Sequence, residues 1–138
     1  MSTIATIEDK LIETLEGLAL FRKVSSLGRK AAPVAMAYPS AYAYFVSDRD
    51  TGTRPRPVMD LTYEILVVSK NLSGEAQAAA DVYSLLDAAR DAINGKFLDF
   101  TDIEPFTCVS REIAGYEDGV ISYILRFQTR QFLPVPAT

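Results

Sequence analysis

Few side chains in this sequence combine the type and spacing that chemistry requires. No His occurs among its residues. That removes the commonest general base and metal ligand, and with them Ser-His-Asp catalysis, Cys-His catalysis and imidazole-bound zinc. The carboxylates Asp60 and Glu64 stand in a segment that alternates like a strand, which sets them roughly 13 Å apart along it. A carboxylate pair acting directly on one bond sits closer than that. Pairing across strands with Arg126 and Arg130 is the plainer expectation. Asp99, Asp102 and Glu104 make an acidic loop without the glycine and terminal Glu of a calcium-binding loop, so it reads as solvated. Cys108, between Thr107 and Val109, has no His to form a thiolate pair and reads as a small buried hydrophobe. No glycine pattern matches a phosphate or dinucleotide loop. Catalytic, cofactor and metal sites are all expected to be absent.

Two features remain as candidates for interaction. One is the stretch from about 48 to 57, with five charges, two prolines and one glycine (Asp48, Arg49, Asp50, Arg54 and Arg56 among them). It is expected to be an exposed arm outside the sheet, longer than a tight hairpin needs, and long loops of this kind often carry function. The other is a polar stripe of Ser122, Arg126, Gln128 and Arg130 in line with Glu64, Thr62 and Asp60. Charges of opposite sign on neighbouring strands suit a solvated face, or one that meets a copy of itself. The tyrosines Tyr38, Tyr42, Tyr44 and Tyr63 could stack on bases, but the residues between them are not basic, so strand packing or a subunit interface is preferred.

The elements that must position these residues follow from periodicity. Ile4, Ile7, Leu11, Leu15 and Leu18 mark an amphipathic helix, with Glu8, Asp9, Lys10, Glu13 and Glu16 on its polar face and Ser2 or Thr3 as cap. Phe21 to Val24 reads as a short strand, followed by an irregular Ala-rich connection. Ser40 to Ser47 and Val58 to Ser69 alternate as strands. Ser73 is the expected N-cap of a helix over 75–94, with Gly95 as its stop and Ala79, Val82, Tyr83, Leu86, Ala89 and Ile93 as its apolar stripe. Phe106 to Ala114 and Val120 to Leu133 flank a turn over Gly115 to Gly119. The order predicts an α+β fold: an antiparallel or mixed sheet of about four to five strands with two main helices on one face.

Length and charge set the outer limits. The chain has 138 residues, an apolar share of 49% and a formal net charge of -4. One domain is expected, able to bury ~68% of the surface of its unfolded form. The acidic balance argues against nonspecific binding to DNA, RNA or an anionic membrane surface, and neither a sequence-specific nucleic acid nor a membrane is expected as a partner. The first residues lack the basic and apolar regions of a secretory signal. No stretch reaches the ~18 continuous apolar residues of a membrane span, so a soluble protein is expected. The single Cys fits a reducing compartment.

Beyond patterning, several stretches resemble the small Mu-like phage tail proteins, a group similar in layout to the tail terminators of long-tailed phages such as the lambda minor tail protein U. They are Ile7 to Leu15, Leu61 to Ser69, Val82 to Asp91, and the Glu-Asp-Gly turn before Val120 to Phe127; the segment 28–39 matches nothing in the group. The resemblance implies a structural protein with no catalytic residues, forming a hexameric ring that caps the tail tube, ends its polymerisation and meets a head-completion or connector protein. Its place would be the virion tail, reached from the host cytoplasm during assembly. Under it, Arg54 and Arg56 are the first choices for pairing with a neighbour, and Arg126 and Arg130 the second. A competing reading is a small-ligand-binding α+β module or an enzyme using carboxylates such as Asp60 and Glu64.

Overall fold

The computed structural model describes residues 2–26, 38–50, 58–71 and 75–133, with the backbone alone over 75–81. Helix α1 runs Ile4–Gly17 and is opened by Thr3, whose hydroxyl accepts from the Thr6 backbone while the Thr6 hydroxyl accepts from the Thr3 backbone, a reciprocal cap. Ile7, Leu11 and Leu15 are fully buried at spacings of four, the spacing that lines one helical face. The strands follow as β1 Lys23–Ser26, β2 Ser40–Asp50 and β3 Val58–Lys70, then helix α2 Glu75–Ile93, then β4 Thr107–Glu117 and β5 Val120–Phe132. The sheet order is β1-β2-β3-β5-β4. β1 lies parallel to β2, and every other pair is antiparallel. The fold is thus α+β with a five-stranded mixed sheet and two helices.

The inward residues of α1, β2, β3, α2 and β5 merge into one hydrophobic cluster around Tyr63, Phe106 and Phe127. From α2 it takes Val82, Leu86, Ala89 and Ile93. Gly95, with φ +76, sits just past the helix end, and its N–H donates to the Phe106 carbonyl at 2.7 Å, which ties the helix stop to the loop before β4. Among the described residues, no helix is long and apolar enough to cross a membrane.

Several sequence expectations are corrected. β1 starts two residues later than expected, at Lys23, because Phe21 and the Leu18 end of α1 pack against the core first. Glu8 is not on the polar face: it is 3% exposed, and its carboxylate accepts hydrogen bonds from the Ser26 hydroxyl and, at 3.1 Å, from the Phe45 N–H. Tyr83 leaves the apolar stripe and is 52% exposed, resting edge-on against the Tyr123 ring. Asp48, Arg49 and Asp50 are exposed but belong to β2, so the strand continues into the supposed arm. Residues 51–57, with Arg54 and Arg56, lie outside the described residues, as do Ser73 and 28–37. The β4–β5 turn is only Asp118-Gly119, with φ +52 and +79, the two-residue loop that positive φ at both positions favours. Gly115 is within β4, beside a register shift between Ile113 and Gly115.

Candidate functional site

The sheet face turned away from the core is where the polar stripe assembles. Residues of β3 and β5 alternate sides, so Leu61, Tyr63 and Ile65 face the core while Asp60, Thr62 and Glu64 face outward. On β5 the outward set is Arg126, Gln128 and Arg130, and the strand register puts Asp60 opposite Arg130, Thr62 opposite Gln128 and Glu64 opposite Arg126. Each cross-strand pair therefore joins an acid with a base or two polar groups.

The contacts follow the register. Glu64 is buried; its Oε2 accepts from Arg126 Nε at 2.8 Å and Nη2 at 2.7 Å, and its Oε1 accepts from the Tyr44 hydroxyl at 2.8 Å. Both carboxylate oxygens are thus engaged. The Arg126 guanidinium is held above its ordinary value chiefly by that hydrogen bond to Glu64. Burial, then the Glu64 carboxylate, pushes the Tyr44 phenol up. Asp60 accepts from Arg130 Nε at 3.0 Å, which raises Arg130 in the same way, and has Arg49 Nη2 at 3.9 Å. Gln128 donates to the Thr62 hydroxyl at 3.4 Å. Asp60 and Glu64 are each bound to arginine, and neither is presented to the other.

A register shift in β2 sets the edge of this face. Phe45 pairs with Tyr63 but Ser47 pairs with Thr62, so Val46 is an extra residue. With regular pairing Asp48 would stand opposite Asp60, a like-charge pair that costs a sheet ~0.2–1 kcal/mol. The bulge instead places Arg49 opposite Asp60 and Asp48 opposite Leu61. Arg49 is the loosest member of the array, with 83% of its side chain exposed. The structure brings together Arg49, Asp60, Glu64, Arg126 and Arg130, while Asp48 points from the other side of the strand. No periodicity marked Tyr44 as the second partner of Glu64, because its hydroxyl reaches the carboxylate only through the β2–β3 register.

The other candidates resolve simply. The tyrosines are dispersed: Tyr63 lies in the core with its hydroxyl donating to the Ile4 carbonyl at 3.0 Å, Tyr42 is 2% exposed, and the Tyr38 ring lies 5.8 Å from the Lys70 ammonium. Burial pushes the Cys108 thiol up, with Arg111 pulling the other way. Asp102 is not a free loop carboxylate. Burial works to raise it, but bonds from the Ser2 hydroxyl (2.6 Å), the Ser2 N–H (2.8 Å) and Gln131 (3.1 Å) outweigh that and hold it below the usual carboxylate range. It fastens the start of α1 to the end of β5. Among the described residues, no cluster of His, Cys, Asp and Glu is arranged to hold a metal ion.

No protein-family pattern matches this sequence, and no curated protein matches it either. The fold is nevertheless shared. A chain in the virion of a native gene transfer agent particle superposes with a TM-score of 0.65, covering 96% of this chain and 100% of that one at 15% identity. A second solved structure, of a protein with no functional name, superposes at 0.50 over 96% of this chain and 94% of that one, at 16% identity. At these identities the likeness is one of fold, and it extends nearly end to end in both.

Proposed function

We propose that this protein is a structural component of a phage-like particle, acting as one domain and without catalysis. The observation that carries the reading is the end-to-end match of its fold to a chain of a gene transfer agent virion. More finely, we read it as a tail terminator. A ring of copies caps the finished tail tube, ends its polymerisation and offers a surface to a head-completion or connector protein. The sequence resemblance to Mu-like tail proteins supports this finer step. So does the outer face, an array of internally satisfied ion pairs that offers shape and polarity and no reactive group. Such a face supplies register more than affinity when it meets another subunit.

On this reading the contacts to neighbours include the exposed end of β2 and the stretch beyond it: Asp48, Arg49, Asp50, Arg54 and Arg56. Asp60, Glu64, Arg126 and Arg130 hold the face that Arg49 borders. Its site of action is the virion tail, with assembly in the host cytoplasm. The test is removal of the gene from a particle-producing strain. Overlong or headless tails are expected under the electron microscope, restored by the wild-type chain and restored poorly by Arg49→Glu. Tails of normal length that join heads normally in the deletion strain would refute the proposal.

A further inference from the structure

The two edges of the sheet are built differently. β1 is four residues long, and β4 is eleven residues long and exposed along nearly its whole length. Register shifts at Val109 and Ala114 interrupt β4, leaving the regular stretch Ser110 to Ile113 between them. A bulged edge resists a long added strand. It leaves room for a short one such as β1.

The rows of the sheet show how the edges compare. Along one row lie Val24, Ala41, Val67, Tyr123 and Ile113; along the next, Ser25, Tyr42, Leu66, Ile124 and Glu112. Lys23 shares its row with Ser40, Val68, Ser122 and Gly115. A second copy set beside the first, unshifted along the strands, therefore brings Val24 opposite Ile113, which is 53% exposed. It also puts Lys23 on the outward side of the sheet between Glu112 and Glu117, the diagonal positions from which side chains reach one another. The strand directions make this contact antiparallel.

The charges agree. Among the described residues, Arg22 and Lys23 enter no salt bridge, nor do Glu112 and Glu117, although the Glu112 charge is felt by Arg126. The cation on β4, Arg111, is held by Asp87 of α2 at 2.7 Å. One edge is thus left basic and the other acidic, each beside an exposed apolar residue: Leu20 (44%) near β1, and Ile113 on β4.

We infer that β1 of one copy docks antiparallel on β4 of the next, with Val24 to Ser26 on the regular stretch and Lys23 opposite Gly115 just past the Ala114 shift, seated between Glu112 and Glu117. The inference rests on the self-association proposed above and says how it is made. Because the two surfaces differ, the contact is head-to-tail, the kind that closes into a ring or runs on as a filament.

The test uses the full chain. In a Cys108→Ser background, Ser25→Cys and Glu112→Cys are combined, since directly opposed residues bring their Cβ atoms within disulfide reach. Mild oxidation is expected to yield a ladder of covalent multimers on a denaturing gel, while either single cysteine stops at a dimer or below. Independently, Lys23→Glu is expected to weaken assembly by at least about tenfold, with Glu112→Lys and Glu117→Lys added to the same chain restoring it. Circular dichroism checks that each variant folds. Wild-type protein that assembles while the paired cysteines stay unlinked, or while Lys23→Glu assembles normally, overturns this inference and leaves the ring standing. Wild-type protein that stays monomeric alone and with tail tubes overturns both.

Discussion

Replacing Glu8 by alanine tests how the sheet edge is held to the first helix. Its carboxylate is 3% exposed and accepts from the Ser26 hydroxyl at the end of β1 and from the Phe45 N–H on β2, 3.1 Å away. The Phe45 N–H points toward the side of β2 where β1, paired only from Ser40 to Ala43, has already ended. Glu8 thus supplies the acceptor that a neighbouring strand would otherwise provide. Losing the acceptor of a buried donor costs about 1–3 kcal/mol, with charged partners at the upper end. Two such bonds predict a loss of about 2–5 kcal/mol for Glu8→Ala, a large part of the ~5–15 kcal/mol that stabilises a typical domain. In a chain of 138 residues that lowers the thermal midpoint by roughly 8–20 °C. Glu8→Gln keeps one acceptor oxygen and should lose about half as much. Glu16→Ala, on the exposed side of the same helix, should change stability by no more than ~0.5 kcal/mol. Urea unfolding followed by circular dichroism measures all three. A Glu8→Ala loss no larger than that of Glu16→Ala would refute the assignment of Glu8 to the sheet edge.

Further outcomes follow from other contacts. Tyr44→Phe removes the hydroxyl that donates to Glu64 Oε1 at 2.8 Å and should destabilise the fold by about 1–2 kcal/mol; in a Glu64→Gln background the same change should cost measurably less, as a double-mutant cycle would show. Burial, then the Glu8 and Asp48 charges, holds the Tyr63 phenol above its ordinary value. A group raised in the folded state stabilises the fold below its unfolded pKa, so stability should fall as pH rises past about 10. Urea midpoints across that range should decline less steeply for Tyr63→Phe than for the wild type. Gly119→Ala places a side chain at φ +79 in the β4–β5 turn and should cost about 1–2 kcal/mol; a neutral result would show that the turn relaxes to another type.

Helices and strands were legible where one periodicity ran long enough to be read. The four-residue spacing from Ile7 to Leu15 and the alternation from Leu61 to Val67 each mark one side of their element as apolar, and both sides reach the core as expected. The α+β class follows from their order. The candidate site was legible in part, because Asp60 and Glu64 repeat on one side of a strand as Arg126 and Arg130 do on another. Opposite charges on adjacent strands were the available signal, and the register joined them.

Sequence alone thus determined what the chain lacks and which elements it makes: no imidazole, two amphipathic helices, and alternating strands with one polar side. Tertiary structure decided what depends on partners distant in the chain. Glu8 reads as a surface residue until Phe45 and Ser26, far along the chain, are brought to it. Asp48 to Asp50 read as loop because their composition is polar, yet β3 offers a ladder of hydrogen bonds that outweighs local preference, and one extra residue at Val46 decides which of their charges meets Asp60. The two unlike edges of the sheet exist only once the strand order is set. A strand's own residues carry its pattern; whether it lies at an edge, and which row it shares with the opposite edge, belongs to the whole sheet.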